Sequence, residues 1–312
     1  MEEINMKIAN TTGDLEDFCK TYEERVQHLY EAGFRYIDLN MFHIYENDEL
    51  LVSEKWLDNA KHLKEFAQER GMKFVQAHSP GGNPLRDAEQ DYFERLFQAT
   101  VRSIEVCGEL GIPNTVVHLG LEVGIEKKEF FERNKKFYEK LFPYMEKHNV
   151  NVLCENSMSN DYGSGNCYYT NTGAEMKEFI EYVNHPLIHA CWDTGHGNQQ
   201  RLCQYDNMVA LGEDLYAVHI NDNRGERDDH MIPFLGTLNM DEVMCALLDI
   251  GYQGYFTFEA GSSMFANTLR KKRVFKRDSR LFTPTLGMQK TMENVLFEFG
   301  KHILESYDCY EE

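Results

Sequence analysis

The 312-residue chain is predicted to fold as a (β/α)8 TIM barrel with a C-terminal helical extension. Three observations carry this expectation. Helical segments ending in glycine recur just before short β-type runs. Such runs number about eight and are spaced by roughly 30–40 residues, the length of a strand and helix unit. Polar residues able to bind a metal stand at the ends of six successive runs.

The first run lies near 6–10, after an acidic start. Ala32-Gly33 then precedes a run at 36–40, Arg70-Gly71 one at 73–78, Leu110-Gly111 one at 115–118 and Ile250-Gly251 one at 255–259. A glycine just past a helix end supplies the left-handed cap, and an apolar run after it suits a buried parallel strand. The remaining runs fall near 151–155, 189–193 and 215–220. Between them the pattern is helical, as where Phe93, Leu96, Phe97, Thr100, Val101, Ile104 and Leu110 share one face. Long loops at 157–172 and 221–238 exceed what a connection needs and are read as functional. Beyond the last run, 286–304 reads as an amphipathic helix with Met288, Met292, Val295, Leu296 and Phe299 to one side. It would close the barrel or pack on another subunit. The chain is read as a single domain over 1–312, with the barrel at about 6–262 and the extension at about 263–312. No G-x-G-x-x-G follows the first run, which disfavours a dinucleotide-binding fold.

Composition bounds the function. Hydrophobic residues at 42% and charged residues at 27% suit a globular protein with a full core. No apolar run reaches the roughly 20 residues of a membrane span, and the expected location is cytoplasmic. The eight cysteines contain no C-x-x-C pair and are read as core or surface residues. A net charge of −20, from 52 acidic and 32 basic residues, disfavours an extended nucleic-acid footprint. The basic run Arg270 to Arg280 is read as a solvated face or subunit contact.

The residues at the ends of the six runs are His78, His118, Glu155, Asp193, His219 and Glu259. Barrel topology gathers such ends around one mouth, where barrel enzymes place their chemistry. His196, three residues after Asp193, and Asp228 and His230, in the loop after His219, adjoin them. Imidazole and carboxylate without thiolate favour Mn, Zn, Co or Fe(II) over Ca. Asn10 and Asn40 are weighed as hydroxyl contacts and, with greater weight, as partners of loop backbone. Phe42, Tyr45, Trp56, Tyr162, Tyr168 and Tyr169 are read as lid or packing residues alike.

These residues resemble the xylose-isomerase-like TIM barrels, which include the ketose 3-epimerases, inosose dehydratases, endonuclease IV and many sugar phosphate isomerases or epimerases. The resemblance implies one divalent metal, Mn, Zn or Co, held by Glu155, Asp193, His219 and Glu259, with His196 of Asp-Thr-Gly-His meeting substrate. It implies Glu155 and Glu259 as the acid–base pair. The nine positions similar to the endonuclease IV set add His78, His118, His196, Asp228 and His230, and extend the count to as many as three ions. The expected function is isomerisation or epimerisation of a small sugar, sugar phosphate or related polyol through an enediolate, in a homo-oligomer. Alternatives are multi-zinc phosphoester hydrolysis and a dehydratase or lyase acting on a cyclic polyol. A barrel surviving only as a binding subunit is disfavoured, because confined carboxylates repel one another without a cation.

Overall fold

The structure, a computed structural model, describes residues 4–157, 169–261 and 284–312. Strands and helices alternate: β1 (Ile8–Thr11), α1 (Tyr22–Ala32), β2 (Tyr36–Asn40), α2 (Trp56–Gln68), β3 (Lys73–His78), α3 (Gln90–Leu110), β4 (Asn114–Val116), α4 (Lys127–His148) and β5 (Asn151–Glu155). Then come α5 (Gly173–Val183), β6 (Ile188–Asp193), α6 (Thr194–Gln199), α7 (Gln204–Leu211), β7 (Leu215–His219), α8 (Met240–Asp249), β8 (Phe256–Phe258) and, numbered here as α9, Leu286–Ser306. The strand order is β7-β6-β5-β4-β3-β2-β1-β8 and every pairing is parallel. The last seam closes where Ile220 bridges Phe258: the Ile220 N–H donates to the Thr257 carbonyl at 2.8 Å, and the Glu259 N–H to the Ile220 carbonyl at 3.2 Å. The predicted TIM barrel with its C-terminal helix is therefore the observed fold.

Local chemistry explains the element ends. Gly111, at φ 79°, ends α3 with its N–H on the Cys107 carbonyl, as the glycine pattern anticipates. α4 and α5 end on left-handed Asn149 and Asn184 instead, at φ 52° and 53°. Asparagine tolerates this conformation without announcing it as glycine does. α1 and α5 begin with capping boxes, Thr21 with Glu24 and Thr172 with Glu175.

Side chains alternate across each strand. Val116, Leu153, Cys191 and Ala217 form a small apolar plug of their own. Two residues further along each of these four strands come His118, Glu155, Asp193 and His219. The same alternation that plugs the lumen thus lifts the polar residues to the mouth. The opposite strand faces join the larger core against the helices, with Trp192, Phe256 and Phe258 fully buried.

The C-terminal helix corrects one expectation. It packs on α1 and β1, taking the barrel-closing role, but its buried face is Gln289, Glu293, Leu296, Gly300, Ile303 and Leu304. Met288 and Val295 are exposed, while Met292 and Phe299 are partly buried. Hydrophobicity picks out Leu296, which is buried, but not the polar part of the face, where the Asn10 amide donates to Glu293 at 2.6 Å and Gln289 to Glu293 at 2.7 Å. Gly300 permits close approach, since a Cβ there would lie 2.6 Å from the Phe258 ring. Among the described residues no helix is long and apolar enough to cross a membrane. The basic run, Cys167, Tyr162 and Tyr168 lie outside the described residues.

Candidate metal centre

All nine candidate positions gather at the C-terminal mouth, in three groups that share ligand atoms within 4.8 Å of one another. The groups are His78, His118 and Glu155; Glu155, Asp193, His219 and Glu259; and His196, Asp228 and His230.

In the first group, Nδ1 of His78 donates to the Ser79 carbonyl at 2.8 Å. Its Nε2 therefore offers a lone pair toward Nε2 of His118, 3.1 Å away. His118 Nε2 is also 2.9 Å from Glu155 Oε2. Burial, aided by the His118 charge, holds His78 down at about 3, a neutral ring suited to ligation. Phe42 lines this side, its ring centroid 5.2 Å from that of His78 and 5.7 Å from that of His118.

In the second group, Nδ1 of the fully buried His219 lies 2.5 Å from Glu155 Oε1 and 3.2 Å from Glu259 Oε2. Burial pushes Glu155 upward, but the His219 and His118 imidazoles outweigh it and hold the carboxyl well below its ordinary value. Burial raises both Asp193 and Glu259. Asp193 caps α6: its Oδ1 accepts from the His196 N–H at 2.7 Å, and its Oδ2 from the Asn221 amide at 2.8 Å. Asn156 locks the strand end beside it, accepting from the Asp193 N–H at 2.6 Å and donating to the Asp193 carbonyl at 2.9 Å.

In the third group, His196 Nδ1 donates to the Asn156 carbonyl at 2.8 Å and its Nε2 stands 3.6 Å from Asp228 Oδ2. His230 Nδ1 donates to the Glu259 carbonyl and Nε2 meets Asp228 Oδ2, both at 2.9 Å. Burial opposes the charged form of His196, yet Asp193 and Asp228 together hold it up at about 10. His230 adopts φ 43°, a left-handed conformation held by the pairing of Asp222 with Met231.

The donor chemistry fits a divalent cation. Three carboxylates and one imidazole converge in the second group, and in the side chains alone their mutual repulsion is met by drawing protons onto His219, His196 and His230. Nitrogen and oxygen donors of this kind suit Mn, Zn or Co. Cys191 also falls within ligand distance of Glu155 and His219, and burial pushes its thiol up to about 12.

Asn40 ties its own loop to the segment after β1, accepting from the Phe42 N–H at 3.1 Å and donating to Glu16 at 3.2 Å, and Asn10 faces α9. Tyr169 donates to the Ile125 carbonyl and Trp56 carries Arg102 on its face, both packing roles. Asn156, Asn221 and Asp38 were missed by the strand-end reading. The first two follow a ligand by one and two residues, a detectable signal; Asp38 lies in the body of β2.

Residues 26–282 match the family described as xylose isomerase-like TIM barrel. The chain is 27% identical over 258 residues to an L-ribulose 3-epimerase of Methylomonas sp. (strain DH-1), covering 75% of this chain and 82% of that one. It is 25% identical over 147 residues to a probable endonuclease 4 of Sulfurihydrogenibium sp. (strain YO3AOP1), covering 45% of this chain and 50% of that one. The crystal structure of a D-allulose 3-epimerase from Methylomonas sp. superposes with a TM-score of 0.72 at 19% identity, over 97% of this chain and 100% of the other.

Proposed function

The chain belongs to the xylose isomerase-like TIM barrel family, and from that premise we propose that it is a metal-dependent isomerase or epimerase of a small sugar, sugar phosphate or related polyol. The observation that carries this reading is the convergence of Glu155, Asp193, His219 and Glu259 within 4.8 Å at the mouth. These four residues would hold one divalent cation, which when bound supplies Lewis acidity toward a carbonyl and its neighbouring hydroxyl. Glu155 and Glu259 enter from β5 and the end of β8 and both reach His219. One takes the proton from the carbon beside the substrate carbonyl, leaving an enediolate; the other returns a proton to the opposite face or to the adjacent carbon. His196, fixed through Nδ1 by Asn156, presents Nε2 to orient a substrate oxygen. Phe42 packs against His78 and His118 on that side of the mouth, and the burial of His78, Asp193 and His219 gives the site the preorganised charge that electrostatic stabilisation needs. The 3-epimerase relative supports a sugar substrate.

The test is incubation of metal-loaded protein with a panel of ketoses and ketose phosphates in D2O, followed by NMR. Solvent deuterium should enter at the carbon next to the carbonyl. Glu155→Gln should lose the cation by elemental analysis and lower kcat/KM by about 10²–10⁴-fold or more. A loaded enzyme that exchanges no carbon-bound proton in any of these substrates sinks the reading.

The three-group arrangement of the nine positions also favours a second reading, a multi-zinc phosphoester hydrolase like the endonuclease relative. A net charge of −20 weighs against a polyanionic substrate. Cleavage of an abasic-site oligonucleotide by protein loaded with about three Zn per chain would put this reading first. Loss of water from a cyclic polyol carrying a ketone, incubated in the same way, would indicate the dehydratase alternative, which begins with the same proton abstraction.

A further inference from the structure

Below the mouth, the lumen is not uniformly apolar. Asp38 and Gln76 stand side by side in β2 and β3, Thr257 reaches Gln76 at 3.4 Å from β8, and all three are at most 3% exposed. Asp38 Oδ2 lies 3.6 Å from Nε2 of His219, the nitrogen turned away from Glu155 and Glu259. Among the described residues, His219 is the sole oppositely charged group within ion-pair distance of Asp38. Asp38 Oδ1, Gln76 Nε2 and His219 Nε2 are buried without hydrogen-bond partners.

A lone carboxylate in such a place is expensive. Taking an ion out of water costs several kcal/mol unless a partner compensates it. The strand geometry is arranged around it nonetheless. Between β2 and β3 the register shifts at Ile37/Asp38, so that Ile37 pairs with Phe74 but Asp38 pairs with Gln76. Bulges re-aim side chains beside active sites, and this one brings Asp38 alongside Gln76 under His219. A metal-ligating imidazole needs its second nitrogen protonated and held, commonly by a carboxylate.

We infer that Asp38 is a positioning residue: its carboxylate, facing Nε2 of His219, holds the imidazole proton on that nitrogen and so keeps Nδ1 as the metal-binding nitrogen. The assignment rests on the metal site of the proposed function. It adds a determinant of cation affinity that does not touch the cation.

The experiment titrates metal-free wild type and Asp38→Asn with Co²⁺, following the visible spectrum, and records thermal unfolding of both metal-free proteins. Affinity in the variant should fall by about 10–100-fold, with the unfolding temperature of the metal-free form unchanged or raised, because a buried charge has been removed. Equal affinity overturns the assignment, as does an affinity loss matched by destabilisation of the metal-free form, which marks a structural role. For independence from the variant's folding, ¹⁵N-histidine NMR of Zn-loaded wild type should show His219 protonated on Nε2; a proton on Nδ1 also overturns it. A wild type that binds no Co²⁺ defeats the metal reading together with this inference. A wild type that binds, beside a variant that binds equally, defeats this inference alone.

Discussion

Nε2 of His78 faces Nε2 of His118 at 3.1 Å and cannot donate to it, because the His78 proton is engaged on Nδ1 by the Ser79 carbonyl. Ser79 is itself pinned, its hydroxyl 2.8 Å from those of both Ser103 and Thr115. Two ring nitrogens and Glu155 Oε2 thus converge on a point beside the four-donor group. This geometry predicts a weaker second cation. Calorimetric titration of metal-free protein with Zn²⁺ should show a tight equivalent followed by a weaker one. His118→Ala should abolish the weaker equivalent and weaken the tight one by no more than about 10–100-fold, the size of an outer-contact effect. Loss of the tight equivalent instead would mean that His118 belongs to the main site.

Gly195 is the small residue that lets α6 meet the loop after β7. A Cβ there would lie 1.9 Å from Asn221 Oδ1 and 3.2 Å from Asn223 Nδ2. Asn221 is the residue whose amide holds Asp193 Oδ2 at 2.8 Å, and Asn223 donates to the Gly195 carbonyl at 2.7 Å. Gly195→Ala should therefore cost about 1–3 kcal/mol of stability and weaken cation binding as well, because Asp193 loses its restraint. Chemical denaturation and Co²⁺ titration check the two effects. Full stability with undiminished affinity would show that Asn221 can move without consequence.

The barrel and its mouth were legible because parallel strands announce themselves twice, by a capping glycine before and a polar residue after. Gly33 and Gly111 mark the approaches to β2 and β4, and His78, Glu155, Asp193 and His219 are the last residues of their strands. Asp38 was illegible on this logic. It sits in the middle of Tyr36–Asn40, and its role depends on a register shift that leaves no trace in composition. The buried face of α9 was only partly legible for a related reason: Leu296 lies on it as expected, but Gln289 and Glu293 join it through Asn10, far away in sequence, which meets Glu293. Polar residues are placed by their partners, and long-range partners are what periodicity does not contain.

That buried contact makes the last prediction, and its sign follows from the carboxyl groups. Glu293 is 1% exposed, and the Asn10 amide that donates to it also reaches Asp14 Oδ2 at 3.3 Å. Burial, reinforced by the Asp14 charge, raises Glu293 well above its ordinary 4.5, and burial raises Asp14 to about 7. A carboxyl raised in the folded state keeps its proton where the unfolded chain has released it. Its contribution to stability is therefore fully present below the unfolded value of 4.5 and is lost as pH climbs through the folded value. Glu293→Gln removes the charge and keeps an acceptor oxygen for Asn10. The variant should unfold at a higher temperature than wild type at pH 8, with the difference shrinking toward zero near pH 5. Each kcal/mol regained should move Tm by about 2–4 °C. Calorimetry of the metal-free proteins across that range measures it, at a place where no proposed metal ligand is altered. A variant less stable by the same amount at both pH values would show that Glu293 acts as a hydrogen-bonding group whose charge is already compensated in the fold.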